Sequence, residues 1–400
     1  MSKKFKRKIL KNGMTILFER RDLPVVSVAF AFRNGGINET LEEKGISHFI
    51  EHMLYKGTPK RNSKQIAEEI EKNGGELNGF TSELVTAYWC KMPSKKLDIA
   101  LDVLSDLIKN PLFDKKEFEK ERKVIFEEIK MYKDNPRMHV FDEIQKSLYG
   151  GTLGVHLAGT FETMNKITSE KMVEKFKQVY TPNNLILCIV GDASFERIIE
   201  FAKKNFGDKK GKVPKVDFCL KNESKTEKRK GIDQANLVFA YHVPLAGDKK
   251  CYAAEVLSCL MAGGMSSRLF SEIREKRNLA YAVSGNANIN KDFAYNLIYV
   301  GTIKRNVGKV QKLILKEFEE VSKNLTQKEL NEIKEQLIGN YQISMEDSQG
   351  QMINLLVNEI DGNARTFYEF EKNISEVKLK DVKGLAKIKD YSFFALVPED

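Results

Sequence analysis

The sequence predicts an α+β protein built from two homologous domains, each of which mixes strands and helices. Its 400 residues exceed what one hydrophobic core usually organises, so two domains are expected. Short runs rich in β-branched and aromatic residues alternate with longer amphipathic segments, as in a mixed fold. The pattern of strands and helices in the first half of the chain also recurs in the second half, roughly two hundred residues later, which indicates a duplication.

The first elements are two strands and a helix. Residues 14–18 and 25–32 are too short for ordinary helices and are rich in β-branched and aromatic residues, so they are predicted as neighbouring strands. Residues 40–43 then read Thr-Leu-Glu-Glu, which is typical of a helix N-terminus. A helix is therefore expected around residue 50.

A second helix, a strand and two further helical segments complete the first part of the chain. Asn62 or Ser63 can cap the second helix, and Pro136 is expected to break or kink the long helical segment. The predicted ranges are helix 61–72, strand 76–92, helix 97–108 and the long segment 115–148.

A polar stretch separates the two copies. Residues 207–230 are dense in Lys, Glu, Asn and Ser and lack helical periodicity, as expected of a linker. Beyond it, residues 236–243 resemble the strand 25–32, and residues 252–261 take the place of the helix near residue 50. The predicted domains are 1–207 and 231–400, joined by a linker over 208–230.

Composition indicates a soluble globular protein in the cytoplasm. The sequence shows no signal peptide and no apolar run of membrane-spanning length. The net charge of +10 is dispersed among 56 acidic residues without a nucleic-acid-binding signature, so neither a nucleic acid nor a membrane is expected as a partner. The five cysteines contain no C-x-x-C pair, which argues against a cysteine zinc site.

The motif that points to chemistry is His48-Phe49-Ile50-Glu51-His52. On a helix, histidines four residues apart project from one face, as two ligands of one metal must. The order H-x-x-E-H is the mirror of the better-known H-E-x-x-H and is a zinc peptidase signature. The alternative is an amphipathic core helix with two solvated histidines.

A catalytic zinc usually has three protein ligands, so one more is needed. The long segment offers Glu121, Glu127 and Glu128. Glu121 and Glu128 are seven residues apart and share a helix face, whereas Glu127 points about 100° away. Periodicity alone does not choose between that face and Glu127, and a plain surface charge run is the competing interpretation.

The run from His48 to Thr58, together with Glu121-Arg122-Lys123-Val124-Ile125-Phe126-Glu127-Glu128, resembles the pitrilysin family of zinc metallopeptidases, the inverzincins. Length and linker favour its two-domain branch, which includes processing peptidases. The resemblance implies a mostly antiparallel sheet with helices on one face in each domain, and a chamber enclosed by the two domains. It also implies that Glu128 is the third ligand of one Zn²⁺ per chain and that Glu121 supports the site from outside.

Two further segments resemble parts of this family. Residues 74–81 resemble the strand whose edge pairs with substrate, so Asn78, Gly79 and Phe80 are expected to bind the peptide; a plain hairpin is the alternative. Gly79 stands where Ala is usual and is expected to loosen that strand slightly. In the second half, Arg274 and Tyr281 match the pair that the partner domain contributes to catalysis.

The function expected from these residues is zinc-dependent cleavage of extended peptides or unfolded segments. Glu51 is expected to be the general base for the water at the metal, and Tyr281 with Arg274 to bind the substrate carbonyl. Because one chain carries both sets of residues, a homodimer is expected rather than a heterodimer with a related chain. The rivals are a non-catalytic structural or assembly subunit of the same family and, less favoured, a zinc hydrolase of small non-peptide amides.

Overall fold

A computed structural model describes residues 4–399. Residues 1–3 and 400, the outer ends of the two predicted domains, lie outside the described residues. The strands are β1 (Phe5–Ile9), β2 (Thr15–Arg20), β3 (Val25–Phe32), β4 (Glu76–Thr81), β5 (Thr86–Pro93), β6 (Tyr149–Gly151), β7 (Leu185–Gly191), β8 (Phe218–Leu220), β9 (Ser224–Arg229), β10 (Ala235–His242), β11 (Ala280–Ile289), β12 (Ala294–Thr302) and β13 (Ser392–Pro398).

Fourteen α-helices lie within the described residues. They are α1 (Ile46–Leu54), α2 (Ser63–Glu71), α3 (Leu97–Lys109), α4 (Lys115–Asp134), α5 (Pro136–Leu148), α6 (Phe161–Lys166), α7 (Ser169–Val179), α8 (Phe195–Asn205), α9 (Cys251–Ala262), α10 (Val307–Asn324), α11 (Gln327–Ser344), α12 (Ser348–Asp361), α13 (Phe370–Glu376) and α14 (Leu379–Leu385). A π-helical turn spans Phe270–Glu275.

The chain forms two compact units that exchange segments. The first unit consists of the described residues up to Lys130 with Gly151–Asp217 and Ser344–Tyr368. The second consists of Met131–Gly150, Phe218–Ile343 and the described residues from Glu369 onward. Helix α12 therefore belongs to the first unit although it lies far along the second half, and α5 belongs to the second unit although it lies in the first half.

The sheet of the first unit has six strands in the order β1-β2-β7-β3-β5-β4. Only the β2–β7 pair is parallel. Alternate residues of β3, from Val26 to Phe32, face the main core, where they pack with α1 and α3. Helix α12 contacts β3 and β7, and its Ser348 hydroxyl lies 2.9 Å from that of Ser27, whose side chain alternates with the core residues of β3. Thus α12 covers the reverse face of the sheet.

The sheet of the second unit repeats this arrangement with five strands, in the order β9-β13-β10-β12-β11. Only the β9–β13 pair is parallel, so β13, β10, β12 and β11 correspond to β7, β3, β5 and β4. Helix α9 packs on β11, as α1 contacts β4. Helix α5 contacts β10 and β13 on the face opposite the main core, matching α12 in the first unit.

The α+β class and the duplication are confirmed, and the structure refines several elements. Helices do cover one face of each sheet, but a single further helix, α12 or α5, lies on the other face. Residues 76–92 form a hairpin of β4 and β5 instead of one strand. Strand β9 lies inside the predicted linker 208–230 and belongs to the second sheet. The two predicted domains, 1–207 and 231–400, were contiguous. They therefore placed α5 in the first domain and α12 in the second, whereas each helix belongs to the other unit.

Two local predictions about helix ends can be compared directly with the structure. Asn62 is the residue that caps α2, because its side chain accepts a hydrogen bond from the Gln65 N–H. The long segment divides at Pro136, where α4 has ended and α5 begins with proline in its first turn. In residues 4–399, no helix combines the length and the apolar composition that crossing a bilayer requires.

A buried carboxylate ties α12 to the first sheet. Glu359 is almost fully buried and accepts two hydrogen bonds of 2.8 Å from Arg7 on β1 and one of 2.9 Å from Arg33. Burial by itself would raise the pKa of Glu359, but the hydrogen bonds from Arg7, the Ala364 N–H and Arg33 outweigh it and hold the pKa below its ordinary value. Removing one partner of such a buried pair is destabilising.

We predict that Glu359→Gln lowers the free energy of unfolding by about 1.5–3 kcal/mol at pH 7, the range for hydrogen bonds to charged groups. Because the folded-state pKa is depressed, this stabilisation is present above the ordinary pKa of Glu and is lost as pH falls through the folded value. Urea titrations at pH 7 and pH 4 should therefore show a smaller gap between variant and wild type at pH 4. The exposed Glu196→Gln is the control and should be as stable as wild type. If the stability difference between Glu359→Gln and wild type were larger at pH 4 than at pH 7, the role of the ionised Glu359 carboxylate would be wrong.

Candidate metal centre and peptidase site

The helix that carries the histidines is fixed at its first turn. Gly45, with a φ of 99°, precedes α1, and a Cβ there would lie 2.7 Å from the Ala158 carbonyl oxygen. The buried Glu39 carboxylate accepts hydrogen bonds from the N–H groups of Gly45 (2.9 Å) and Ser47 (2.7 Å). A carboxylate at a helix N-terminus satisfies free N–H groups and complements the dipole. The start of α1 is therefore held in place.

His48, His52 and Glu128 bring their ligand atoms together. The two Nε2 atoms are 3.3 Å apart, and the Glu128 oxygens lie 3.6 Å from His48 Nε2 and 3.7 Å from His52 Nε2. Among residues 4–399 this is the one group of three such side chains whose ligand atoms all lie within 4.8 Å of one another. The two histidines of α1 and Glu128 of α4 therefore direct their ligand atoms to one point.

These distances suit a tetrahedral zinc. With zinc–ligand bonds of about 2.0–2.2 Å, neighbouring ligands of a tetrahedron lie about 3.3–3.6 Å apart. The three observed separations lie at or just above that range. Two imidazoles and one carboxylate are a known catalytic donor set that leaves a fourth position for water. The residues present therefore fit Zn²⁺, with His48, His52 and Glu128 as the groups that would hold it.

Glu121 supports His52 from the side away from this group. Its Oε2 lies 3.1 Å from His52 Nδ1, and its Oε1 lies 2.6 Å from Lys56 Nζ. A carboxylate that accepts a proton from one imidazole nitrogen leaves the other nitrogen free to bind a metal and fixes the orientation of the ring. This is the supporting position that the resemblance implied for Glu121.

Glu127 points elsewhere. Its side chain is 72% exposed and pairs with Lys130, three residues along α4, at 2.8 Å. Glu128 is turned toward the two histidines instead, while Glu121 shares its face one heptad earlier. The helical period did not choose between Glu128 and Glu127. In the structure Glu128 faces the histidines and Glu127 faces solvent.

The two histidines respond differently to their surroundings. Burial, together with neighbouring His52, lowers the pKa of His48 to about 3. Burial also acts to lower the pKa of His52, but the hydrogen bond to Glu121 and the charges of Glu128 and Glu51 outweigh it, so that pKa is raised. The carboxylates therefore make the neighbourhood of His52 favourable for positive charge.

Glu51 lies between the histidines in sequence and is buried beside them. One of its oxygens, Oε2, accepts a 2.6 Å hydrogen bond from the Thr81 hydroxyl at the end of β4. Burial raises its pKa, partly offset by the Thr81 hydrogen bond and by His52. Thr81 therefore orients one oxygen of a carboxylate that lies beside the donor group.

The candidate substrate strand β4 is the edge of its sheet, and among the described residues no strand pairs with its outer side. Asn78 is exposed, and its Oδ1 accepts a hydrogen bond from the N–H of Gly79 at 2.8 Å. Phe80 is half-buried on the same strand. An unpaired edge is the backbone arrangement that β-augmentation requires, although a peptide bonding to the Gly79 N–H must displace the Asn78 oxygen.

Gly79 has a steric role that the sequence did not predict. A Cβ at this position would lie 2.5 Å from the Tyr55 hydroxyl oxygen, 3.0 Å from the Ala87 carbonyl oxygen and 3.1 Å from Glu51 Oε1. The expected loosening of the strand is therefore not the main consequence of glycine here. Its main consequence is room for Tyr55 beside Glu51.

Arg274 and Tyr281 lie together in the second unit. Arg274 donates a 2.9 Å hydrogen bond to the carbonyl oxygen of Tyr281, and its guanidinium lies over the ring of Phe270. Tyr281 is half exposed on β11, the strand that corresponds to β4. The two residues are therefore in contact with each other. That they bind the substrate carbonyl stays a prediction.

Three residues near the site were missed by the sequence reasoning: Lys56, Thr81 and Tyr55. Lys56 and Tyr55 follow the helix that carries the motif, so their proximity in sequence was a usable signal. Nothing in the pattern around Thr81 indicated that its hydroxyl bonds Glu51, because that contact joins α1 to a hairpin thirty residues away.

The two halves of the chain match family models that describe peptidase domains. Residues 15–161 match the model described as Insulinase (Peptidase family M16), and residues 166–337 match the one described as Peptidase M16 inactive domain. The uncharacterized zinc protease YmxG of Bacillus subtilis (strain 168) is 32% identical over 402 residues, which cover 98% of each chain.

Solved structures show the same fold over nearly the whole chain. A protease from Helicobacter pylori superposes with a TM-score of 0.91 at 22% identity, covering 99% of each chain. A chain of Complex III2 from Candida albicans superposes with a TM-score of 0.87 at 16% identity, covering 98% of this chain and 95% of that one.

The fold is that of a two-domain class of peptidase-family proteins, and the first unit holds a His-His-Glu donor group next to a buried Glu. The family models and the zinc protease relative make the assignment specific. The chain belongs to peptidase family M16, and the resemblance to the pitrilysin family is confirmed.

We predict that Glu128→Gln weakens zinc binding by more than the roughly 10–100-fold that loss of an outer partner costs, because a direct ligand is lost. Glu127→Gln is the matched control, one residue along the same helix, and should bind zinc like wild type. Metal analysis after dialysis and titration against a chromogenic chelator measure both. Equal zinc affinity in the two variants, or a loss only in Glu127→Gln, would show that Glu128 is not a ligand.

Proposed function

We propose that this protein is a zinc-dependent endopeptidase that cleaves extended peptides or unfolded segments, with one Zn²⁺ per chain held by His48, His52 and Glu128. One observation carries the proposal: the donor group, the buried Glu51 and the unpaired edge of β4 lie together in the first unit. Membership of a peptidase family and a relative named as a zinc protease support it.

The chemistry divides between the metal and Glu51. Bound Zn²⁺ supplies a Lewis acid that makes a water acidic enough to be a nucleophile near neutral pH. Glu51 then accepts the proton of the attacking water and passes it to the leaving amine, as a general base and acid. Thr81 donates a hydrogen bond to Oε2, which orients the carboxylate for this transfer.

The peptide is proposed to bind as an added strand. Main-chain groups at Asn78, Gly79 and Phe80 would pair with an extended substrate, and the position of β4 beside Glu51 would align one peptide bond with the base. This binding mode selects for extended chains, because a folded segment has already paired its own backbone groups.

Arg274 and Tyr281 of the second unit are proposed to bind the substrate carbonyl and the oxyanion that forms during attack. Because the metal motif and this pair occur in the same chain, a homodimer is proposed, with a heterodimer as the alternative. A cytoplasmic location likewise remains a prediction.

The rival function is a non-catalytic assembly subunit. The fold similarity to a chain of Complex III2 favours it, since this fold also occurs in that assembly. The intact donor group and Glu51 favour a peptidase, because an assembly role has no need of a buried carboxylate next to a metal site. Hydrolysis of a small non-peptide amide is less favoured, since it would not use the edge strand.

We predict that Glu51→Gln retains zinc and the fold but cleaves peptides about 10²–10⁴-fold more slowly, the contribution of a positioned general base. The amide keeps the shape of the side chain and cannot take the proton. A fluorogenic peptide assay with metal analysis of each sample measures this, and Glu127→Gln on the exposed side of α4 is the control. Wild-type turnover in Glu51→Gln would refute the assigned base.

A further inference from the structure

The Tyr55 hydroxyl, at the end of α1, lies against Gly79 of β4 and beside Glu51. A Cβ at residue 79 would lie 2.5 Å from Tyr55 Oη, closer than such atoms approach in real structures. Tyrosine at 55 with its present orientation therefore requires glycine at 79.

Two oxygens lie beside Gly79, and among the described residues neither has a hydrogen-bond partner. The Tyr55 hydroxyl is buried and has no hydrogen-bond partner among the described residues. Glu51 Oε1 lies 3.1 Å from the same Cβ position, and in the described part of the chain Thr81 occupies only the other oxygen, Oε2. A buried hydroxyl without a partner costs free energy, and a carboxylate oxygen is a strong acceptor.

The ring of Tyr55 lies at the end of α1, next to a second buried tyrosine. Tyr55 caps the C-terminus of α1, and its ring centre lies 5.9 Å from that of Tyr88. Tyr88 is fully buried, and its own hydroxyl lies 2.7 Å from that of Tyr180. The Tyr88 hydroxyl is thus already paired. Two acceptors border the Gly79 Cβ position together with the Tyr55 hydroxyl, the Ala87 carbonyl oxygen and Glu51 Oε1, and the carboxylate is the stronger of the two.

We infer that Tyr55 is a positioning residue for Glu51: a small shift of its side chain brings the unpaired hydroxyl to donate to Oε1, which borders the same Gly79 Cβ position. Together with Thr81 it would orient both carboxylate oxygens by hydroxyl donors from opposite sides. This inference rests on the proposed function, in which Glu51 is the base. It assigns to the pair Tyr55 and Gly79 the task of holding that base in the orientation needed for proton transfer.

Kinetics test the positioning role. Tyr55→Phe should retain zinc and lower kcat about tenfold with KM nearly unchanged, because the lost hydrogen bond orients the base and does not touch the peptide. Tyr241→Phe is the matched control: it removes a buried tyrosine hydroxyl in the second unit that accepts a hydrogen bond from Asn296, and it should lower Tm while leaving kcat unchanged. Unchanged kcat in Tyr55→Phe, or an equal fall in both variants, would overturn the inference.

The steric part has its own test. Gly79→Ala should be strongly damaging in the wild-type background because the methyl group displaces the Tyr55 hydroxyl. In the Tyr55→Phe background the same change should cost much less kcat and Tm, since the hydroxyl is gone. An equal cost of Gly79→Ala in both backgrounds would overturn the inference.

A third readout does not depend on activity. Thermal unfolding of the metal-free chain with Tyr55→Phe, Glu51→Ala and both changes forms a double-mutant cycle. Non-additive Tm shifts, by more than about 1 °C, are expected if the hydroxyl and the carboxylate interact. Additive shifts would overturn the inference whatever the activity. Coupled shifts in a chain that cleaves no peptide would support the contact and reject the proposed function alone.

Discussion

The contact between His52 and Glu121 is the constraint on which the rest of the site depends. It joins α1 to α4, two helices that lie almost seventy residues apart in sequence, and it orients the imidazole so that Nε2 faces Glu128. Because Glu121 and Glu128 are one heptad apart on the same helix, holding the first carboxylate on one side of His52 places the second on the other side. Lys56 neutralises Glu121 and keeps it in this position.

From that contact the remaining geometry follows through the helix period and the hairpin. Helix α1 presents Glu51 and the two histidines within two turns, and β4 lies against the same helix, so a peptide added to the sheet edge would pass Glu51. Glu51 itself is oriented by Thr81, a residue of β4. The strand that would bind the substrate therefore also holds the group that would act on it, which couples binding to the alignment of the base.

Sequence reasoning predicted those parts of the structure that depend on local periodicity. Histidines four residues apart, the proline between α4 and α5, and the repeat of β3 in β10 are all local patterns. The choice of Glu128 over Glu127 needed the family resemblance, because a 3.6-residue period leaves neighbours ambiguous until the partner helix is placed. The turn between β4 and β5 contains no glycine or proline and is stabilised by hydrogen bonds of the Ser82 side chain. Because the usual turn residues are missing, residues 76–92 were predicted as one strand. The exchange of α5 and α12 and the close approach of Tyr55 to Gly79 depend on contacts between residues distant in sequence. Local sequence patterns do not encode such contacts.

The central claim is that the His48–His52–Glu128 group with Glu51 forms a working peptidase site. Digestion of a mixed peptide library, read by mass spectrometry, tests it most directly when the protein is compared as purified, after chelation and after zinc is restored. The account predicts internal cleavages that disappear with the chelator and return with zinc. A protein that binds one zinc per chain and leaves every peptide intact in all three states would contradict the account and favour the assembly subunit.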